Sequence, residues 1–152
     1  MIKRVWVPLI ALFAMPFFSH AWDPLPEEIE GWFMEGVRYY KGEEGGKPDF
    51  GKAISYWNRA AEQGYAPAQF NLGVLYDTAD TLQNPWEAFK YYKLAADKGY
   101  APAQFNVGVA FEKGEGIPKD LGQAKHYYGL AKNQNYAPAI KRLRKAIEPP
   151  NK

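Results

Sequence analysis

Gln63-Gly64-Tyr65-Ala66-Pro67-Ala68-Gln69-Phe70-Asn71 returns almost letter for letter as Lys98-Gly99-Tyr100-Ala101-Pro102-Ala103-Gln104-Phe105-Asn106. It returns once more, decayed, as Gln134-Asn135-Tyr136-Ala137-Pro138-Ala139-Ile140. The spacings are 35 and 36 residues. Self-similarity at that period is the signature of a stacked helical array. It bounds function too, because an array of like units presents a surface for holding another molecule more readily than a reaction vessel.

Each unit reads as two helices. In the second, Pro67 stands at the first helical position, where its missing N–H costs nothing. Phe70, Leu72, Gly73 and Tyr76 then recur at helical spacing up to about Asp77. After a linker, Asn84 reads as the cap of a second helix carrying Ala88, Tyr91, Tyr92, Ala95 and Ala96 on one expected buried stripe. Gly99 reads as its left-handed terminator. The third unit repeats the plan with Phe105, Val107, Gly108 and Phe111, then Asp120 as cap, then Ala124, Tyr127, Tyr128 and Ala131. The first is more diverged, with Phe33, Gly36 and Tyr39, then Asp49 as cap, then Ala53, Tyr56, Trp57 and Ala60. Gly36, Gly73 and Gly108 fall mid-helix, where glycine costs about 1 kcal/mol against alanine. Their recurrence predicts that a facing element passes where a side chain would stand.

The ends read differently. Lys3 and Arg4 precede the uncharged run Val5 to Phe18, and Ser19-His20-Ala21 offers a small-residue cleavage site. The run is shorter than the roughly 20 apolar residues of a membrane span. A signal peptide removed after Ala21 is therefore expected, leaving 17 acids and 17 bases in a formally neutral chain. No global field then attracts nucleic acid or anionic lipid. The charge is unevenly spread: residues 22–62 hold nine acids and five bases, 119–152 eight bases and two acids. With no cysteine, neither a disulfide framework nor an N-terminal lipid is available. At the far end Arg144 replaces the unit's glycine, and Lys141, Arg142, Arg144 and Lys145 surround Leu143. This reads as a terminal cap with a polar outer face, or as a basic binding patch.

Ala101-Pro102-Ala103-Gln104-Phe105-Asn106-Val107-Gly108, Lys113-Gly114-Glu115-Gly116-Ile117-Pro118-Lys119-Asp120, Ala124 and Tyr127-Tyr128 resemble a near-complete repeat of the Sel1-like family, relatives of the tetratricopeptide repeats. The resemblance covers about residues 30–145. It implies an all-α, right-handed solenoid of antiparallel helix pairs, with about three repeats plus a C-terminal capping helix. The expected organisation is a signal peptide over 1–21, a segment over 22–29, repeats over 30–65, 66–100 and 101–136, a capping helix over 137–148, and a tail over 149–152. The resemblance also implies an adaptor role in protein complexes, and for exported bacterial members envelope assembly, host interaction or immunity against secreted toxins. The linkers Asp77 to Gln83 and Gly42 to Pro48 depart from the family pattern.

The residue inventory argues against an enzyme. Once the signal is removed, one histidine (His126) and one serine (Ser55) remain, on second helices two repeats apart. That excludes a thiol nucleophile and a zinc site of several His or Cys ligands, and leaves a serine triad without plausible geometry. Paired acids, Glu43-Glu44 or Asp77 with Asp80, keep a carboxylate hydrolase as a remote alternative. No cofactor and no metal are expected, and the aromatics fall at packing spacings rather than as a stacking platform for nucleic acid.

In arrays of this type the first helices line the concave face. Phe33, Phe70 and Phe105 are equivalent, as are Val37, Val74 and Val109, while Met34, Asn71 and Asn106 flank the phenylalanines. Asp77 and Glu112 follow a turn later. The expected partner surface is thus a groove with an apolar floor, asparagines able to hold a peptide backbone, and an acidic rim. The competing surface is the linker edge, with Trp86 and Lys47. The expected function is a non-enzymatic adaptor or scaffold in the periplasm or outside the cell, binding a peptide segment or a folded effector, with no membrane attachment after cleavage. The alternative is a dedicated inhibitor neutralising a toxic effector.

Overall fold

The computed structural model describes residues 26–42 and 46–147. The expected signal peptide, the pair Glu43-Glu44 and the tail lie outside the described residues. Seven helices follow one another with no strand among the described residues: α1 Pro26–Lys41, α2 Phe50–Glu62, α3 Ala66–Thr78, α4 Pro85–Asp97, α5 Ala101–Lys113, α6 Leu121–Asn133 and α7 Ala137–Ile147. Each packs chiefly on its chain neighbours, tightest within the pairs α1·α2, α3·α4 and α5·α6. The chain is an all-α helical-repeat solenoid. No described helix is long and apolar enough to cross a membrane.

The recurring Gly-Tyr-Ala-Pro stretch joins one pair to the next. Gly64 and Gly99 adopt φ of 76° and 83°, a left-handed conformation that glycine enters without steric cost. The Gly64 N–H then reaches Ala61 O at 2.9 Å and the Tyr65 N–H reaches Ala60 O at 3.2 Å. Gly99 and Tyr100 repeat both bonds to Ala96 and Ala95, and Asn135 and Tyr136 to Lys132 and Ala131. These paired bonds satisfy carbonyls that the helix end leaves open. Asn135, at φ 60°, is the one non-glycine residue with positive φ among the described residues, and asparagine tolerates that region best. The tyrosine that closes one helix is also the N-cap position of the next, so Ala66 is the first helical residue and Pro67 the second. The one-residue difference from the sequence expectation has no energetic consequence, since every N–H of the first turn lacks an intrahelical acceptor.

The second helices start alike. Asp49 accepts from the Lys52 N–H, Asn84 from the Glu87 N–H, and Asp120 from the Gly122 and Gln123 N–H groups. Each such cap stabilises its helix by about 1 kcal/mol. The backbone N–H of the same three residues also bonds back to the first helix, at Tyr39 O, Tyr76 O and Phe111 O. Linkers of different sequence and length therefore close on one geometry. The exit residues themselves are rings that stack on the second helix: Tyr39 on Tyr56 at 5.6 Å, Tyr76 on Tyr91 at 5.7 Å, Phe111 on Tyr127 at 5.9 Å. Tyr91 is accordingly half-buried, outside the fully buried stripe that the sequence placed it on.

The core is built on alanines and a few large side chains, with Trp57, Leu72, Leu75 and Val107 fully enclosed. The mid-helix glycines are the contact points of each pair. A Cβ on Gly36 would fall on the Trp57 ring, one on Gly73 would lie 2.5 Å from Tyr92 Cδ1, and one on Gly108 would lie 2.6 Å from Tyr128 Cε1. What passes there is a ring carried by the facing helix. In α7 the same place holds exposed Arg144, so this helix lacks the slot that receives a ring in the three pairs before it.

Candidate protein-binding surface

Trp57, Tyr92 and Tyr128 do more than fill glycine slots. Each forms the inner wall of a hollow bounded by two first helices. The first hollow, about 200 Å³, is lined by Val37, Tyr40 and Lys41 of α1, Trp57 of α2, and Asn71 and Val74 of α3. The second, about 340 Å³, joins Asp77 and Thr78 of α3 with Ala88, Phe89 and Tyr92 of α4 and Asn106 and Val109 of α5. The third, about 370 Å³, joins Glu112 of α5 with Leu121, Ala124, Lys125 and Tyr128 of α6 and Arg142, Leu143 and Lys145 of α7. The same positions recur by register in all three.

Polar side chains are placed in these hollows by their own hydrogen bonds. The Tyr92 hydroxyl donates to Asp77 at 3.2 Å. Burial pushes that phenol well above its usual range, the Asp77 carboxylate adds to the effect, and Asn106 acts on the same hydroxyl in the opposite sense. One unit on, the Tyr128 hydroxyl donates to Glu112 at 2.5 Å. Arg142, at the place of Asn106, donates to both oxygens of Glu112, at 2.9 and 2.5 Å. Burial again raises the Tyr128 phenol. The Arg142 bonds hold the Glu112 carboxyl below its ordinary value, with Tyr128 contributing in the same direction. A two-pronged guanidinium–carboxylate contact of this kind fixes geometry as well as charge.

The structure thus groups Val37, Asn71 and Val74 in one hollow and Asp77, Asn106 and Val109 in the next, and sets Glu112 in the third. Phe33, Phe70 and Phe105 line none of these three hollows and do a different job, although Phe105 also borders a separate hollow of about 270 Å³ with Pro138, Lys141, Arg142 and Lys145. Phe70 packs between Tyr92 and Tyr100, at 5.7 and 5.3 Å, and Phe105 between Tyr128 and Tyr136, at 5.5 and 5.7 Å. Phe33 meets Tyr65 edge-on at 5.3 Å, and its carbonyl accepts from Trp57 Nε1. These rings wedge successive units together and are half-buried. Met34 is 56% exposed and lines none of the three hollows. At the linker edge Trp86 is equally exposed, stacked on Phe89 at 6.5 Å, and Lys47 is exposed.

Sequence reasoning missed the three second-helix rings as part of this surface, although their equivalence to one another was readable. It also missed Gln104, which donates to Ala96 O and accepts from Gln134 at 2.9 Å, bonding three segments at a buried junction. Gln69 makes the equivalent donation to Ala61 O, and its Oε1 is buried without a partner among the described residues.

Nothing among the described residues assembles three or more His, Cys, Asp or Glu side chains able to hold a metal. Ser55 and His126 are exposed on α2 and α6, helices that do not pack substantially on one another. The His126 ring lies edge-on to Tyr127. Asp77 is engaged by Tyr92 and Asp80 is exposed.

Helix pairs of this length, the left-handed junctions and the ring-into-glycine contact recur in register, and a family model describes the same units. The Sel1 repeat model matches residues 36–65, 66–100 and 101–136. The chain belongs to the Sel1 repeat family. It is 33% identical to a Sel1 repeat protein from Oxalobacter formigenes of known crystal structure, over 78% of this chain and 89% of that one, with a TM-score of 0.69. It is 30% identical to a protective antigen present in uropathogenic Escherichia coli strains and displaying an SLR fold. That match has a TM-score of 0.71 and covers 77% of this chain but 25% of the antigen. No curated protein matches the sequence significantly. Sel1 repeats are a protein–protein interaction type of repeat, generally non-catalytic, and they typically mediate binding to other proteins.

Proposed function

We propose that the protein is a non-enzymatic adaptor, exported to the periplasm or beyond, that holds a segment of another protein across its three hollows. The observation that carries this reading is their register. At two successive junctions an aromatic wall, a valine and an asparagine from the following first helix stand at equivalent places, Trp57 with Asn71 and Val74, then Tyr92 with Asn106 and Val109. A recurring wall suits a ligand that runs along the array, and each asparagine offers both a donor and an acceptor to a peptide backbone. Export rests on the N-terminal pattern Lys3-Arg4, the uncharged run to Phe18, and Ser19-His20-Ala21.

The experiment is an affinity capture from the native host after brief crosslinking, with the Asn71→Arg/Asn106→Arg variant beside the wild type. Both substitutions sit on half-buried surface, so the variant is expected to stay folded, as circular dichroism would verify. Partners recovered with the wild type and lost with the variant support the reading. Equal recovery with both overturns it. A single stoichiometric partner would mark a dedicated inhibitor of a toxic effector, and several weaker ones an adaptor. N-terminal sequencing of the protein from a periplasmic fraction, expected to start at Trp22, tests export.

A further inference from the structure

The third hollow differs from the second in charge and in closure. At the preceding junction Phe89 reaches across to Phe111, edge-on at 5.6 Å. The place of Phe89 is taken by Lys125 in α6, as by Ile54 in α2, so no equivalent ring among the described residues closes the third hollow. Its walls are apolar: Leu121, 54% exposed, faces the same space as Ala124 and half-buried Leu143. An exposed leucine beside an unfilled apolar depression is a feature that solvent alone does not stabilise.

The charges around it do not cancel. Glu112 is already neutralised by Arg142, with Tyr128 taking a further lone pair. Lys125 and Lys145 line the same hollow, are exposed, and have no ion-pair partner among the described residues. In the second hollow, by contrast, Lys113 pairs with Glu115 at 3.2 Å and Asp77 supplies a carboxylate. The third hollow therefore combines an apolar slot with two free ammonium groups. It also sits in the stretch 119–152, where bases outnumber acids eight to two.

Building on the adaptor reading, we propose that this C-terminal hollow selects the partner, accepting an apolar side chain flanked by acidic residues. The apolar side chain lies between Leu121 and Leu143, and neighbouring carboxylates meet Lys125 and Lys145. Burial of the apolar group supplies affinity, and the charges supply rate and selectivity. The acidic character of the segment follows from the uncompensated lysines, and the apolar anchor from the slot between them.

The test is a titration of the purified ¹⁵N-labelled protein with a synthetic hexapeptide of two central leucines flanked by glutamates, followed by NMR and by fluorescence anisotropy. Amide shifts are expected around Leu121, Lys125 and Leu143. The peptide with glutamines for glutamates, and the one with serines for leucines, should each bind at least tenfold more weakly. Lys125→Glu/Lys145→Glu should lose at least tenfold in affinity with an unchanged melt, and Lys132→Glu, an exposed lysine outside the hollow, should lose nothing. Shifts confined to the Asn71 and Asn106 hollows would overturn this inference while leaving the adaptor reading intact. So would equal binding of the glutamine peptide, no binding at millimolar peptide, or full affinity in the double variant. Because the peptide titration needs no native partner, a failed capture and a failed titration report on different claims.

Discussion

Two glycines in equivalent surroundings of backbone, but not of side chain, separate packing from propensity. Gly73 lies under the Tyr92 ring, while Gly129, inside α6, would present a Cβ to open space. Gly129→Ala should stabilise the protein by about 0.5–1 kcal/mol through helix propensity alone. Gly73→Ala should destabilise it by about 1–3 kcal/mol despite the same gain, because the Tyr92 ring is held by Asp77 and Phe70 and has nowhere to move. Thermal melts of the two variants should thus shift in opposite directions, and a stabilised Gly73→Ala would disprove the tight ring contact. The sequence showed that something must pass these glycines, because three unfavourable residues at one register demand a reason. It did not show the polar partners. Gln104 with Gln134, and Glu112 with Arg142, are thirty residues apart, and a repeat pattern says which residues are equivalent, not which ones meet.

At the scale of the element, the caps and terminators were readable because their chemistry is local: Asp49, Asn84 and Asp120 each bond within three residues. The convergence of three unlike linkers on one backbone bond was not, since it depends on where the helices already are. The docking of α7 is the part with a pH signature. The folded Glu112 carboxyl is depressed below its ordinary 4.5, first by Arg142 and also by Tyr128, with Lys119 adding to the same effect. A depressed acid stabilises the folded state above its unfolded pKa and loses that contribution as pH falls through the folded value. The pair is partly exposed, at 40% and 29% of the two side chains, so its worth is about 0.5–1 kcal/mol. Glu112→Gln should therefore cost about that much at pH 7 in urea titrations, and the difference should shrink toward zero at pH 3. A difference that persists undiminished into acid would mean the carboxylate charge is not what holds α7.

For the molecule as a whole, the hollows matter because they repeat along its length. The sequence led to the first helices and their asparagines. Structure adds the aromatic walls from the second helices and moves the phenylalanines from an open floor to the joints between units. The reason is physical: a ring at a half-exposed position gains more by wedging between two tyrosines than by facing water. Charge is graded in the same direction as the array, and the last of the three hollows carries two lysines without an ion-pair partner among the described residues, where the first carries Lys41 alone.

The most direct test of this account is a hydrogen-exchange footprint of the captured partner on the wild-type protein. Side-chain docking in the hollows should slow exchange in α3, α5 and α7 around Asn71, Asn106 and Leu143, with the linkers unchanged. Protection confined to the linker edge around Lys47 and Trp86 would contradict it and place the partner on the other surface.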